Sequence, residues 1–544
     1  MKTTTALMLT GLTFLTSCKG EPKDDSSNTK TEDPATVTPA DDSAGAAPTD
    51  KPSATKDSVT ATTKDWPMWG GTPDRNMVGE AKNLPVDINP GELDDETEAA
   101  LLDSAKNIKW AAKLGSQAYG NAVVAGGKVY VGTNNESPRN KAQEGDRGVL
   151  MAFDEKDGSF IWQLIIPKLG AGKVSDWEYV GLCSSPVVEG NRMWLVTNRG
   201  EVVCLDTEGM ANGNDGPFKD EAKYMAVKDE TVEVTKEHAD IIWIYDMREE
   251  LGIFPHNVSS CSPVIVGDNL YTATSNGVDW SHTNIPAPNS PALVSLDKNT
   301  GKLLAEEASG VSTRVLHASW SSPAFGKIGG KDAIVWGGGD GFTYALDPKP
   351  VKDEEDFDVF KEIWKLDCNP AEYRVKDGKP IKYATYAGAS EVIGTAVIAD
   401  GLTYIIIGQD PEHGDGVGNI LCIGADGKPV WSSNKVGRSI STLSVADGLV
   451  YAAEYKGDIH CYDAKTGKEY WKHETQSRIW GSTLVADGKV WIGTEDGELH
   501  ILKAGKTKES LATIEFPAPI YSSAVVANDV IYVATQTHLY AIGK

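Results

Sequence analysis

From about Asn121 to the C-terminus, apolar residues fall in short alternating runs, each opened by a turn of Gly, Asp or Asn. GGKVYVGT, GDNLYTATSNG, DGLTYIIIG, DGLVYAAEYKG, DGKVWIGTEDG and NDVIYVATQ are copies of one such run; GNRMWLVTNRG and GKDAIVWGGGDG are looser ones. A period of two behind a Gly-bearing turn reads as a strand entered from a hairpin. A small-residue strand precedes each copy: NAVVA, SSPVVE, CSPVIV, SSPAFG, GTAVIA, STLSVA, GSTLVA and SSAVVA. A third run ending near Asp follows, as in LMAFDEKDG, LVSLDKNTG and IHCYDAKTG, and a Trp-bearing fourth often closes the unit, as in FIWQL, IIWIY, EIWKL, PVWSS and EYWKH.

Four short antiparallel strands repeated in this way predict an all-β fold, an eight-bladed β-propeller of four-stranded blades. Radial repetition hides the sheet edges that a single open sheet would expose. The last unit, Ile520–Lys544, has three strands. NIKWAAKL, Asn107–Leu114, is an orphan outer strand near the start. Pairing the two closes the ring and ties both ends of the fold together. A sandwich of two sheets leaves this symmetry unexplained.

The later units are compact, whereas the earlier ones carry inserts at Asn134–Arg147, Met210–Asp240, Gly277–Pro291, Asp353–Phe360 and Cys368–Tyr386. Function on a repeat scaffold concentrates in such loops. The acidic insert at Asp353 reads as a solvated loop.

Residues 1–17 read as a lipoprotein signal peptide: Lys2, a short apolar run from Ala6 to Leu15, then Leu15-Thr16-Ser17-Cys18, which resembles a bacterial lipobox. Cys18 is the expected lipidation site, and Lys19 after it suits an outer-membrane destination. Residues 18–64 hold almost no large apolar side chains and read as a disordered tether. The folded body is expected over 65–544, exported and anchored to the envelope by lipid alone.

The formal net charge of −26 repels phosphate backbones, so nucleic acid is excluded as a partner class. No phosphate-binding Gly loop, zinc spacing or serine-hydrolase signature is present.

LDKNTGK and YDAKTGK, with the Trp-bearing fourth strand, resemble the pyrroloquinoline quinone (PQQ) repeat. That repeat builds the eight-bladed quinoprotein alcohol dehydrogenases and non-enzymatic relatives such as the BamB assembly lipoprotein. DWPMWGG, FPHNVSSCSP, TSNGVDW, HASWSSP and GQDPEHGDGVGN are similar to a narrower group of PQQ-like propellers. The dehydrogenase likeness implies Asn276 as a ligand to Ca²⁺ beside the quinone, with Trp280 downstream and Glu178 as a second ligand. HASW keeps His317 and Trp320 of the catalytic blade but has Ala318 where the general base belongs, and a methyl group cannot accept a proton. The adjacent cysteine pair and the CxxCH haem site of those enzymes are missing. No cofactor is therefore expected, with PQQ and Ca²⁺ as the alternative.

Residues at and just ahead of the inner strands are expected to converge on one mouth of the channel: Glu178, His256, Asn257, Asn276, His317, Trp320, Glu391, Arg438, Arg478 and Trp480, joined by Tyr119, Trp177, Tyr386 and Tyr521. Arginines beside aromatic platforms suit an anionic or sugar-like ligand. Asp410, Glu412 and Asp415, beside His413, lie in a Gly-rich run that reads as a structural turn, with the carboxylates as oxygen ligands for Ca²⁺ as the alternative; Asp279 and His282 in VDWSH form a lesser pair. Cys204, Cys422 and Cys461 sit at equivalent third-strand positions and read as packing residues. Cys183 and Cys261 are the best disulfide candidates. The leading functional expectation is a monomeric, non-catalytic binding or assembly platform for an envelope protein or glycan partner. A PQQ- and Ca²⁺-dependent oxidoreductase and a carbohydrate-binding propeller are the alternatives.

Overall fold

The protein is described by a computed structural model covering residues 64–383, 388–411 and 416–544. The signal peptide, Cys18, most of the tether, Tyr386, Glu412 and Asp415 lie outside these residues.

The chain is built almost wholly of short strands in antiparallel sheets. The first sheet comprises Val123–Ala125, Lys128–Asn134, Arg147–Asp154 and Phe160–Pro167, hydrogen-bonded in sequence order. The same meander recurs from Val187, Val264, Ala324, Val397, Ser444 and Leu484 onward. The last sheet takes Val525–Ala527, Val530–Ala534 and His538–Ile542 from the C-terminus and Ile108–Lys113 from the N-terminal region as its fourth strand. Central positions of the strands are buried, and neighbouring sheets pack face to face through apolar clusters.

Three sequence signatures acquire physical causes. The Asp that ends the third strand holds the following turn: Asp297 Oδ1 accepts the N–H groups of Asn299 and Thr300, and Asp463 Oδ1 those of Lys465 and Thr466. The fourth-strand Trp fastens one sheet to the next. The indole N–H of Trp162 donates to Thr207 O at 3.0 Å, Trp243 to Lys298 O at 3.2 Å, Trp431 to Ala464 O at 2.9 Å and Trp471 to Gly505 O at 2.8 Å. Trp110, on the N-terminal strand, likewise donates to Glu155 O in the first sheet at 2.9 Å.

The third signature is the Ser-Ser-Pro. The second serine belongs to a belt of hydrogen bonds joining the inner strands. Ser185 N–H donates to Ser262 Oγ, and Ser262 N–H to Ser322 Oγ, both at 2.9 Å. Thr395, Thr442 and Ser482 donate in the same way to Thr442, Ser482 and Ser523, and Ser523 N–H donates to Asn121 Oδ1 at 2.7 Å. Short hydroxyl side chains suit this crowded axis because each supplies an acceptor in the space of a methyl group.

DWPMWGG and the residues after it form a strap across the inner strands. Trp66 exchanges backbone hydrogen bonds with Val124, Pro67 O accepts from Val188, Pro73 O from Phe325 and Asp74 O from Ile398. Asn76 then pairs with Val445 through its side-chain amide, and Val78–Gly79 adds in parallel to Leu484–Ala486. Arg75, fully buried, pins the strap: its guanidinium donates to Trp69 O, Pro323 O, Ser262 O and Pro263 O at 2.6–3.0 Å. Gly70 turns at φ +76°, where a Cβ would lie 2.7 Å from the Arg75 backbone.

Two expectations are corrected. Cys183 and Cys261 are both free thiols; Cys261 is buried and its sulfur accepts from Ala273 N–H, inside its own sheet. The acidic insert is a solvated turn at 353–357, as read, but its end at Asp358–Phe360 is strand: Phe342–Lys352 and Asp358–Asp367 form a long hairpin around that turn, and its outer strand pairs in parallel with Leu303–Glu307 of the preceding sheet. Cys204, Cys422 and Cys461 are buried, and burial pushes the Cys204 and Cys461 thiols up to about 12. No helix among the described residues is long and apolar enough to cross a membrane.

Candidate functional site

Inner strands running side by side leave an axial cavity of about 470 Å³. The hydroxyls of the belt, Ser262, Ser322, Thr395, Thr442, Ser482 and Ser523, line it together with Trp69 of the strap. The Trp69 indole donates to Thr395 Oγ1 at 3.0 Å. These hydroxyl oxygens are therefore already engaged as acceptors within the protein.

Tyr119, Trp177, Trp320, Trp480 and Tyr521 give the wall its aromatic faces, beside polar and aliphatic groups that include Glu178, Asp410 and Ile440. Trp480 stacks on Tyr521 with centroids 5.0 Å apart, and Tyr119 packs against Tyr521 at 5.3 Å. The Trp480 indole is fixed by a hydrogen bond to Glu495 Oε2 at 2.9 Å. Burial raises the Tyr119 and Tyr521 phenols, which stay neutral at working pH. Trp177 and exposed Glu178 come from a loop docked on Asn257: Trp177 N–H donates to Asn257 O and Asn257 N–H to Val174 O.

Of the residues expected at the mouth, Glu178, Asn257, Trp320 and Trp480 line this cavity with Tyr119, Trp177 and Tyr521, and so does Asp410, one of the expected Ca²⁺ ligands; His256, His317, Asn276, Glu391, Arg438 and Arg478 are not among its lining residues. The two arginines share a different partner: both guanidinium groups lie over the Tyr455 ring, at 4.5 Å for Arg438 and 5.7 Å for Arg478. Arg438 also donates to Asp410 O, and Arg478 pairs with Glu495 at 3.4 Å.

The remaining residues form a second constellation beside the cavity. Pro255 bridges to Asn276 and Gly277 to Ala318, while Val278 N–H donates to His317 O at 2.9 Å, so three loops run together as a small sheet. This brings His256, His282 and His317 into contact, with centroid separations of 4.4, 4.9 and 5.0 Å. His256 Nδ1 lies 2.5 Å from Val278 O. Burial, then the neighbouring His317, depresses His256 to about 3, so its ring is neutral. Trp320 packs edge-on against His317 and donates its indole N–H to His256 O and Val258 O. Glu391 Oε1 is 3.8 Å from His317 Nδ1, both side chains being fully buried. The sequence offered His282 only as a lesser partner of Asp279; its approach to the other two rings depends on a loop path that no local pattern encodes.

The quinone–calcium centre implied by the dehydrogenase likeness does not fit these residues. Asn276 is buried and its amide is committed: Oδ1 accepts Phe254 N–H at 2.8 Å, and Nδ2 donates to Ala287 O and Ser312 Oγ at 2.9 Å. Ala318 is fully buried beside Gly277, where an added Cβ would lie 2.8 Å from the Ala318 methyl, and that methyl carries no group able to take a proton.

Repeated four-stranded sheets with an Asp-turn and Trp staple define a propeller of the PQQ-repeat class. The chain matches the family described as outer membrane protein assembly factor BamB over residues 111–249, 146–326 and 416–543, more than half its length, and it belongs to that family. Among solved structures, a europium-containing methanol dehydrogenase matches with TM-score 0.56 and 12% identity over 88% of this chain and 98% of that one. A quinohemoprotein alcohol dehydrogenase from Pseudomonas putida HK5 matches with TM-score 0.52 and 13% identity, over 88% and 80%. BamB from Moraxella catarrhalis matches at 13% identity and TM-score 0.49, over 80% and 96%. At these identities the likeness to the dehydrogenases is one of fold. No curated protein matches the chain.

Proposed function

We propose that the chain is a closed, eight-bladed propeller working in the cell envelope as a non-catalytic binding platform, with Ile108–Lys113 completing the last blade. The axial cavity carries this reading. Its wall stacks Trp480, Tyr521 and Tyr119 over a floor of hydroxyls, and the nearby arginines are turned toward Tyr455 and Glu495. Neutral aromatic faces beside polar edges suit a flat-sided, uncharged ring, and a glycan chain end is the ligand class that combines an apolar face with hydroxyl edges. Family membership and the lipobox-like sequence at Cys18 support the envelope setting. A PQQ- and Ca²⁺-dependent oxidoreductase is the runner-up, and the committed amide of Asn276 speaks against it.

The test is calorimetric titration of the full chain with envelope oligosaccharides, beside a pull-down of envelope extracts on the immobilised protein. Saturable glycan binding that Trp480→Ala abolishes without lowering Tm supports the proposal. Retention of neither glycan nor envelope protein would overturn it.

A further inference from the structure

His256, His282 and His317 each offer a ring nitrogen within 4.8 Å of the other two. A tetrahedral ion bound at the usual metal–nitrogen distance of about 2.0–2.1 Å holds its ligand atoms about 3.3 Å apart, so small side-chain rotations close the set. His256 is already oriented for this. Its Nδ1–H donates to Val278 O, which leaves Nε2 as the lone-pair nitrogen. That atom is buried and has no hydrogen-bond partner among the described residues, in a side chain with no exposed surface. A buried polar atom left unmatched is rare and costly, and an ion is one way to satisfy it.

The surroundings are those of a ligand site. The small sheet of three loops fixes the backbone of each histidine, Trp320 buttresses the His317 ring, and the Glu391 carboxylate stands 3.8 Å behind His317 Nδ1. Carboxylates in that position orient metal-bound imidazoles and raise their basicity. His282 is half-buried, between exposed Ser281 and Thr283, and leaves the set reachable from solvent.

We propose that His256, His282 and His317 form a site for a divalent transition-metal ion, with a fourth position open to water or a ligand. Three imidazole nitrogens select a borderline ion such as Zn²⁺ or Cu²⁺ over Ca²⁺, which takes oxygen ligands. The other histidine–carboxylate group, Glu454, Asp458 and His460, is different in kind: both His460 nitrogens are already paired, with Glu454 and Glu469. The proposal is independent of what fills the axial cavity.

The experiment is titration of the EDTA-stripped full chain with Co²⁺ and then Zn²⁺, read by visible absorption and by metal content after gel filtration. One Co²⁺ per chain with four-coordinate ligand-field bands, displaced by one Zn²⁺, is the expected result. His282→Gln, on a partly exposed loop, is expected to leave the metal-free Tm unchanged and weaken binding by about a hundredfold or more. Absence of stoichiometric binding overturns the proposal. So does binding that His282→Gln and His317→Gln leave intact, because the ion is then held elsewhere on the acidic surface.

Discussion

The hydroxyl of Ser262 accepts the backbone N–H of Ser185 at 2.9 Å, so a side chain on one inner strand completes the hydrogen bonding of its neighbour. Both residues are buried. Ser262→Ala therefore leaves a buried N–H without its acceptor, at a cost of about 1–3 kcal/mol. Denaturant unfolding of the variant checks this; a loss within error of zero would mean water replaces the hydroxyl.

Arg75 presents one guanidinium to carbonyls from the strap and from the inner-strand openings at Ser262, Pro263 and Pro323. Burial lowers its pKa to about 10, which still leaves it charged at neutral pH. Arg75→Met removes every donor at once and is expected to destabilise the fold by about 3 kcal/mol or more. Arg75→Lys is expected to recover little of this, because an ammonium cannot reproduce the planar fork.

His460 supplies the pH dependence. Burial opposes its charging, but hydrogen bonds to Glu454 and Glu469 prevail and raise its pKa above the ordinary histidine value. A raised folded-state pKa contributes stability that is fully present below the unfolded value and is lost as pH rises through the folded one. The Tm difference between wild type and His460→Gln should be larger at pH 5.5 than at pH 8.5. Melting curves of both proteins across that range decide it, and subtracting the variant removes the opposite contributions of His238, His500 and His538, whose pKa values burial lowers.

Much of the fold is legible in the sequence because its causes are local. Alternation places the strands, Asp297 and Asp463 mark turns they cap themselves, and the fourth-strand Trp recurs because Trp162, Trp243, Trp431 and Trp471 each donate to a turn carbonyl one sheet on, Trp364 being the copy that does not. The strap is not legible in this way. Trp66, Asp74 and Asn76 have no periodicity, since each meets a different sheet. At the site, the sequence brings out Trp480, Trp320 and Asn257, which follow from their place ahead of inner strands. It does not reveal that Arg438 and Arg478 turn onto Tyr455, because side-chain direction at a strand end is set by neighbours distant in sequence. Likewise His282 reaches His256 only through a loop with Ser275 and His282 itself at positive φ.

The central claim is that this propeller binds rather than performs quinone chemistry, and calorimetric titration of the full chain with PQQ, with and without Ca²⁺, tests it most directly. The expected result is no saturable heat at high micromolar quinone, with Ca²⁺ making no difference. Saturable, Ca²⁺-dependent binding would contradict it, because Asn276 would then have to leave Phe254, Ala287 and Ser312 to reach the ion.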